Sequence, residues 1–276
     1  MHTRMVNGSS PRSARPEALH VGDVVADRYQ LEREPAHTEV GLAFPAVDRL
    51  TAHAVAVEVA SGLPPEARAR YAEEAQAAQR LESDHVLRVL HAGSLTDGTP
   101  FVVREPAIQT LADEIDARGP LPEQEAAART LEACEALAEA HALGMTHGGL
   151  RADEVWLGRD DEGMPTAKLD WPSAARPGHE GGAERDLAGL GRLLRSLLVG
   201  RTGSTEESAP TLPNGIAHVV ARATTEDGRE RYAHVGELAR ELAPYAPPGH
   251  PSARNAAFFL SRVRIERAPA RPAPAD

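Results

Sequence analysis

The chain has 276 residues, 41% of them hydrophobic, enough for one large domain or two small lobes with a real core. Lys and Arg number 30 against 41 Asp and Glu, a formal charge of -11 that repels phosphate backbones and argues against nucleic acid as a general partner; solubility is the plainer reading of the acidity. No apolar run approaches the ~18–20 residues of a membrane span, and Met1 to His20 lacks the apolar stretch of a signal peptide, so a cytoplasmic location is expected.

Residues 1–20 are polar and read as a flexible arm. From Val21 to Ala60 the pattern is strand-like: Val55, Val57 and Val59 alternate with Ala56 and Glu58. Pro64 and Pro65 open a helix whose run, Glu66 to Leu81, is rich in Ala, Glu and Arg with no Gly or Pro. Two short strands follow, Val86–Ala92 and Pro100–Arg104, joined by a turn carrying Asp97-Gly98. Pro122 starts a long helix through His141, with Leu131, Cys134 and Leu137 on its apolar stripe, and Gly144 stops it. The single cysteine, Cys134, is therefore expected to be a buried structural thiol.

A second strong helix is expected from Glu184 to Val199, with Leu187, Leu190, Leu193, Leu194, Leu197 and Leu198 on a wide apolar face and Gly200 at its end. Two more helical segments follow at Ile216–Thr225 and His234–Leu242. Strands dominate the first third and helices the rest, which predicts an α+β chain of two lobes. From Pro244 the chain is rich in Pro and Arg, with one apolar island at Phe258-Phe259-Leu260, and residues 248–276 read as a disordered tail.

Seven segments, in order over most of the chain, resemble bacterial serine/threonine protein kinases from about Val21 to Tyr245. VGDVVADRYQLERE is similar to the family's entry into its first strand, and DRLTAHAVAVEVA to the second and third strands. RYAEEAQAAQRLESDHVLRVLHAG resembles the regulatory helix and the strand after it. MTHGGLRADEVWL resembles the catalytic loop, AKLDWPSAA the metal-binding loop, and DLAGLGRLLRSLLVGR the central helix of the second lobe. RERYAHVGELARELAPY resembles the last helical region, with its Arg-Tyr pair at Arg231-Tyr232. The resemblance implies a bilobal protein-kinase-like fold, with a β-rich N-lobe at 21–105 carrying one regulatory helix and a mainly helical C-lobe at 106–247.

In that family, phosphoryl transfer depends on positioning and charge neutralisation. Aligned on this chain, the three glycines of the phosphate-covering loop fall at Ala36, Thr38 and Gly41, so two of them gain side chains where backbone should approach phosphate. Gly41 is equally well explained as an ordinary turn glycine. The strand lysine aligns with Glu58 and its helix partner with Glu74. Two like charges ~4 Å apart cost on the order of 4 kcal/mol at an effective dielectric of 20. The pair would repel, or take up a proton, or hold an arginine or cation between them; the favoured expectation is that Glu58 points to solvent.

The catalytic aspartate aligns with Gly149 and the metal-binding asparagine with Glu154, while Asp153 is offset from the catalytic position. His147 is expected to be a packed core histidine. Asp170-Trp171-Pro172 stands at the magnesium loop: Asp170 keeps the formal ligand, Trp171 can fill the apolar role of phenylalanine, and Pro172 removes an N–H. The stretch Ser173 to Gly182 is short, holds Ser173 as its one hydroxyl, and leaves Arg231 without the glutamate that it pairs with in the family.

These losses imply a pseudokinase: not an enzyme, with no cofactor expected and neither ATP nor magnesium supported. The first functional expectation is a scaffold or regulator that binds a protein partner, such as an active kinase or a phosphopeptide-binding domain. The second is a sensor of nucleotide or divalent cation, because Glu58, Glu74, Glu154 and Asp170 would share the degenerate cleft, with Asp170 and Glu154 as metal ligands. The third is an unconventional phosphotransferase. It needs a basic phosphate contact, for which Arg151 and Lys168 stand in the two cleft motifs; both read more plainly as solvated loop charges. A lone Cys134 excludes cysteine-rich zinc sites, and no nucleophile elbow of G-x-S-x-G type is present.

Overall fold

In the computed structural model of the protein, residues 19–160, 163–171, 181–200 and 212–256 are described, the side chain of Asn214 apart. The first lobe is an antiparallel sheet of seven strands: β1 (Val24–Val25), β2 (Tyr29–Leu31), β3 (Ala36–His37), β4 (Leu42–Asp48), β5 (Ala54–Val59), β6 (Val89–Ser94) and β7 (Pro100–Arg104). Their order is β1-β2-β4-β5-β7-β6, with β3 added on β4. Helix α1 (Pro65–Ala78) follows β5 and packs beneath β6 and β7. Proline at its first position suits the helix entry, and Tyr71, Ala75 and Ala78 form its buried stripe.

Alternation along the strands divides the sheet into two faces. Val55, Val57, Val59, Phe101 and Val103 join Tyr29, Leu31 and Phe44 in a core of their own. The opposite face carries Ala56, Glu58 and Arg104 into the cleft between the lobes. Asp97-Gly98 turns β6 into β7 as expected: Gly98 has φ 83° and the Asp97 carboxylate accepts from the Thr99 N–H at 2.8 Å.

The second lobe is mainly helical. A small antiparallel sheet, β10-β9-β8, lies at its top, built from β8 (Gln109–Thr110), β9 (Val155–Arg159) and β10 (Pro165–Leu169). Helix α2 (Leu111–Arg118) begins with Thr110 and Asp113 capping each other's backbone N–H groups. Helix α3 (Glu123–Ala142) runs through the centre, with Leu131, Cys134 and Leu137 fully buried. Burial pushes the Cys134 thiol far above its ordinary range, so it is a packed, inert group. Helix α4 (Ala183–Val199) packs on α3, and α5 (Asn214–Thr224) and α6 (Val235–Leu242) complete the bundle. None of the described helices is long and apolar enough to cross a membrane.

The segment read as a tail from residue 248 departs from expectation at its start. Helix α7 (Pro251–Asn255) docks on α3, with Ser252 and Ala256 buried. His85 holds it through Ser252 Oγ at 3.2 Å, and Glu135 accepts from the Asn255 amide at 3.0 Å. Partners 120 and 167 residues away in sequence make this docking, which no local composition reveals. Residues 257–276, including the apolar island, and the arm at 1–18 lie outside the described residues.

Candidate functional site

Strand pairing places the centre of the cleft. On β7, Arg104 lies opposite Ala56 of β5, and Val102 opposite Glu58, so Arg104 and Glu58 are diagonal neighbours on one face. Asp170, just past β10, enters from the other lobe. The Arg104 guanidinium reaches both carboxylates, Nη2 to Glu58 Oε2 and Nη1 to Asp170 Oδ1. Tyr71 on α1 donates its hydroxyl to Glu58 Oε2 at 2.9 Å. Glu58 is 3%, Arg104 6% and Asp170 2% exposed. Burial alone would weaken the hold of Arg104 on its proton, but Asp170 and Glu58 more than offset it and keep the group charged.

The expectation that Glu58 points to solvent is therefore wrong. Strand alternation turns its side chain inward, and Arg104 supplies the counter-charge that makes burial tolerable. The helix that should offer Glu74 offers Tyr71 instead, one turn earlier. The alternative of an arginine beside Glu58 is realised, but its second partner is Asp170 rather than Glu74. Arg104 was missed because it sits in none of the motif segments; an arginine ending an otherwise apolar strand, FVVR, was the available signal.

A cavity of about 930 Å³ lies between the lobes. Ala36, Thr38, Glu58, Gly149, Glu154 and Asp170 all line it; Gly41 and Glu74 are not among its lining residues. Gly41 has a different task. A Cβ there would stand 2.2 Å from the Val59 carbonyl oxygen, so the residue permits close backbone approach. Glu154 is 8% exposed. Among the described residues no group of three or more His, Cys, Asp and Glu side chains is arranged to hold a metal ion.

The loop below the cavity is held by a residue that the motifs did not single out. Asp186, fully buried in the first turn of α4, accepts from the backbone N–H of His147 at 3.0 Å and of Gly148 at 2.6 Å. The ring of His141 bonds the same carboxylate at 2.7 Å. At Gly189 a Cβ would lie 2.8 Å from that of Leu150, so α4 presses directly on the loop. His147 is fully buried and meets Trp171 edge-on at 5.3 Å, the packed role expected of both. Gly149 contributes backbone alone, and Asp153 is engaged by Arg151 at 2.8 Å.

Two further expectations need correction. Lys168 is not a solvated loop charge: it lies within β10, 6% exposed, and pairs with Glu105 at 2.9 Å. Arg231 does find a glutamate, Glu184 in the first turn of α4, at 3.1 Å, and also donates to the Thr225 carbonyl. Pro172 and the stretch 173–180 lie outside the described residues.

No family model matches the chain. Curated proteins do. The chain is 24% identical over 297 residues to the "Probable serine/threonine-protein kinase PknB" of Corynebacterium glutamicum, covering 88% of the chain and 45% of that protein. It is 27% identical over 290 residues to the "Serine/threonine-protein kinase PknH" of Mycobacterium tuberculosis, covering 89% and 46%. The chain thus spans just under half the length of these relatives.

Proposed function

We propose that this chain, a kinase-like member of the bacterial serine/threonine protein kinase family, acts by binding a protein partner rather than by transferring phosphate. The observation that carries this reading is the buried bridge of Glu58, Arg104 and Asp170. At the point where the family fold implies a lysine for the triphosphate and a carboxylate for magnesium, both acids are already engaged by an internal guanidinium. The residues present do not fit a magnesium–triphosphate group. Seating magnesium on Asp170 would require breaking a buried ion pair, and Glu58 would face the phosphates with like charge. Gly149 offers no carboxylate to accept a hydroxyl proton.

The test is transfer of labelled γ-phosphate from ATP to a generic acceptor protein, together with thermal unfolding in the presence of MgATP. No transfer and no rise in the unfolding midpoint are expected. Transfer that Asp170→Asn abolishes without unfolding the chain defeats the proposal. The open 930 Å³ cavity supports a second reading, a small ligand taken up in the cleft. A midpoint rise with Mg²⁺, Mn²⁺, Ca²⁺ or nucleotide alone would favour it.

A further inference from the structure

Outside the cleft, the lobes meet at a second junction. The loop 82–87 leads from α1 towards β6 and so belongs to the first lobe, yet it rests on the second. Glu139 of α3 accepts from the backbone N–H groups of Glu82 at 2.9 Å and Ser83 at 2.8 Å. The His85 ring lies with Nδ1 2.9 Å from Thr166 Oγ1 of β10 and Nε2 3.5 Å from Glu135 of α3. Helix α7 meets the same ring: Ser252 Oγ is 3.2 Å from Nε2, and the Asn255 amide donates to Glu135 at 3.0 Å. Just before the helix, His250 Nε2 stands 3.4 Å from Glu132. Burial opposes ionisation of Glu135, but the His85 ring, then Ser252 and Asn255, outweigh it and hold the carboxyl below its ordinary range. Helix α7 thus supplies part of what this junction needs.

His85 faces both ways. Its ring meets α7, while its carbonyl accepts from the Leu169 N–H at 2.9 Å; two residues on, the Leu87 N–H donates to the Leu169 carbonyl at 2.8 Å. Leu87 lines the cavity, and Leu169 precedes Asp170, an acid of the central bridge. The contacts Ser252–His85–Leu169 therefore lead from α7 to the edge of the cleft. The helix is the weak member of this series. Five residues are too few to be helical alone, and Ser252 is the one among them that is buried. It follows a turn with Pro248 and Gly249 at its centre, where Gly249 has φ 83° and the His250 N–H donates to the Pro247 carbonyl at 3.1 Å. A short element held by a few side chains beyond a defined turn can open locally while the rest stays folded.

We infer that α7 is a strap across the hinge: docked, it holds the loop 82–87 in register with Leu169 and Asp170, and released, it loosens that side of the cleft. By linkage, whatever displaces α7 acts on the cleft, and whatever braces the cleft tightens α7. This coupling goes beyond the function proposed above and does not depend on it.

Amide hydrogen exchange of the full chain, read residue by residue by NMR, tests the strap. Ser252→Glu sets a second carboxylate beside Glu135 and should release α7. Asn255→Ala, at an exposed position, removes one anchor without touching His85. In both variants exchange should rise at Arg254 and Ala256, whose N–H groups close α7, and by about fivefold or more at Leu87 and Leu169. The Leu31 N–H, bonded to Asp23 at the far edge of the first sheet, should be unchanged. A rise confined to α7 overturns the inference, as does one shared equally by Leu31. Unchanged exchange within α7 in both variants overturns the anchors themselves.

Discussion

Replacing Arg104 by methionine tests the central bridge most directly. Methionine keeps much of the side-chain length and the apolar stem while removing the guanidinium, so Glu58 and Asp170 remain buried without their shared counter-charge. Two carboxylates on either side of one guanidinium stand on the order of 6 Å apart, and at an effective dielectric of 20 they repel by about 3 kcal/mol. Loss of attraction to the cation adds to this, so a destabilisation of about 4 kcal/mol is expected, within the usual range for breaking a buried ion pair. Urea unfolding followed by tryptophan fluorescence reads it well, because the fully buried Trp171 adjoins Asp170. With a slope of about 2–3 kcal/mol/M, the midpoint should fall by roughly 1.5–2 M. The triple change Glu58→Leu, Arg104→Met, Asp170→Leu should recover to within about 1–2 kcal/mol of the parent, since an entire buried ionic group can be exchanged for apolar contacts at little cost. A midpoint shift under about 0.3 M for Arg104→Met, equivalent to less than ~1 kcal/mol, would refute the reasoning.

Two further predictions concern stability away from the bridge. Burial works against ionisation of Glu132, but the hydrogen bond from His250, the charge of Arg129 and the Ala167 N–H outweigh it and hold the carboxyl below its ordinary range. A depressed carboxylate contributes stability that is present above its unfolded value, about 4.3, and is lost as pH falls through the folded one. Glu132→Gln should accordingly flatten the acid limb of a stability–pH profile below about pH 4.5; an unchanged limb would remove the assignment. Gly41→Ala should cost about 2 kcal/mol or more in urea unfolding, because the new methyl meets the Val59 carbonyl and φ there is 155°. A cost of a few tenths would return Gly41 to the rank of an ordinary turn residue.

Much of the architecture was legible because local signals agreed with the fold. The alternation Val55-Val57-Val59, the Asp97-Gly98 turn, the proline start of α1 and the leucine face of α4 each report their own element. Helix α2 was equally readable in principle, since Thr110 and Asp113 form a capping box, but its eight residues are short enough to pass for loop. Strands β9 and β10 lay inside segments read for chemistry rather than periodicity. At the site, the sequence places Glu58 and Gly149 where the resemblance implies a lysine and an aspartate. The partners of Glu58 were not legible. Arg104 stands 46 residues from Glu58 and 66 from Asp170, and only the register of β5 against β7, with β10 closing from below, brings the three together. Asp186 was hidden for the same reason, as its partners are backbone N–H groups nearly 40 residues earlier.

The bridge also has a mechanical meaning. Glu58 and Arg104 belong to one lobe and Asp170 to the other, so the ion pairs act as a latch across the hinge, next to the backbone bonds that Leu87 and Leu169 make between the two halves. Swinging the lobes apart would strip a buried cation of one acid. Hinge opening therefore carries an electrostatic cost beyond that of parting the packed surfaces.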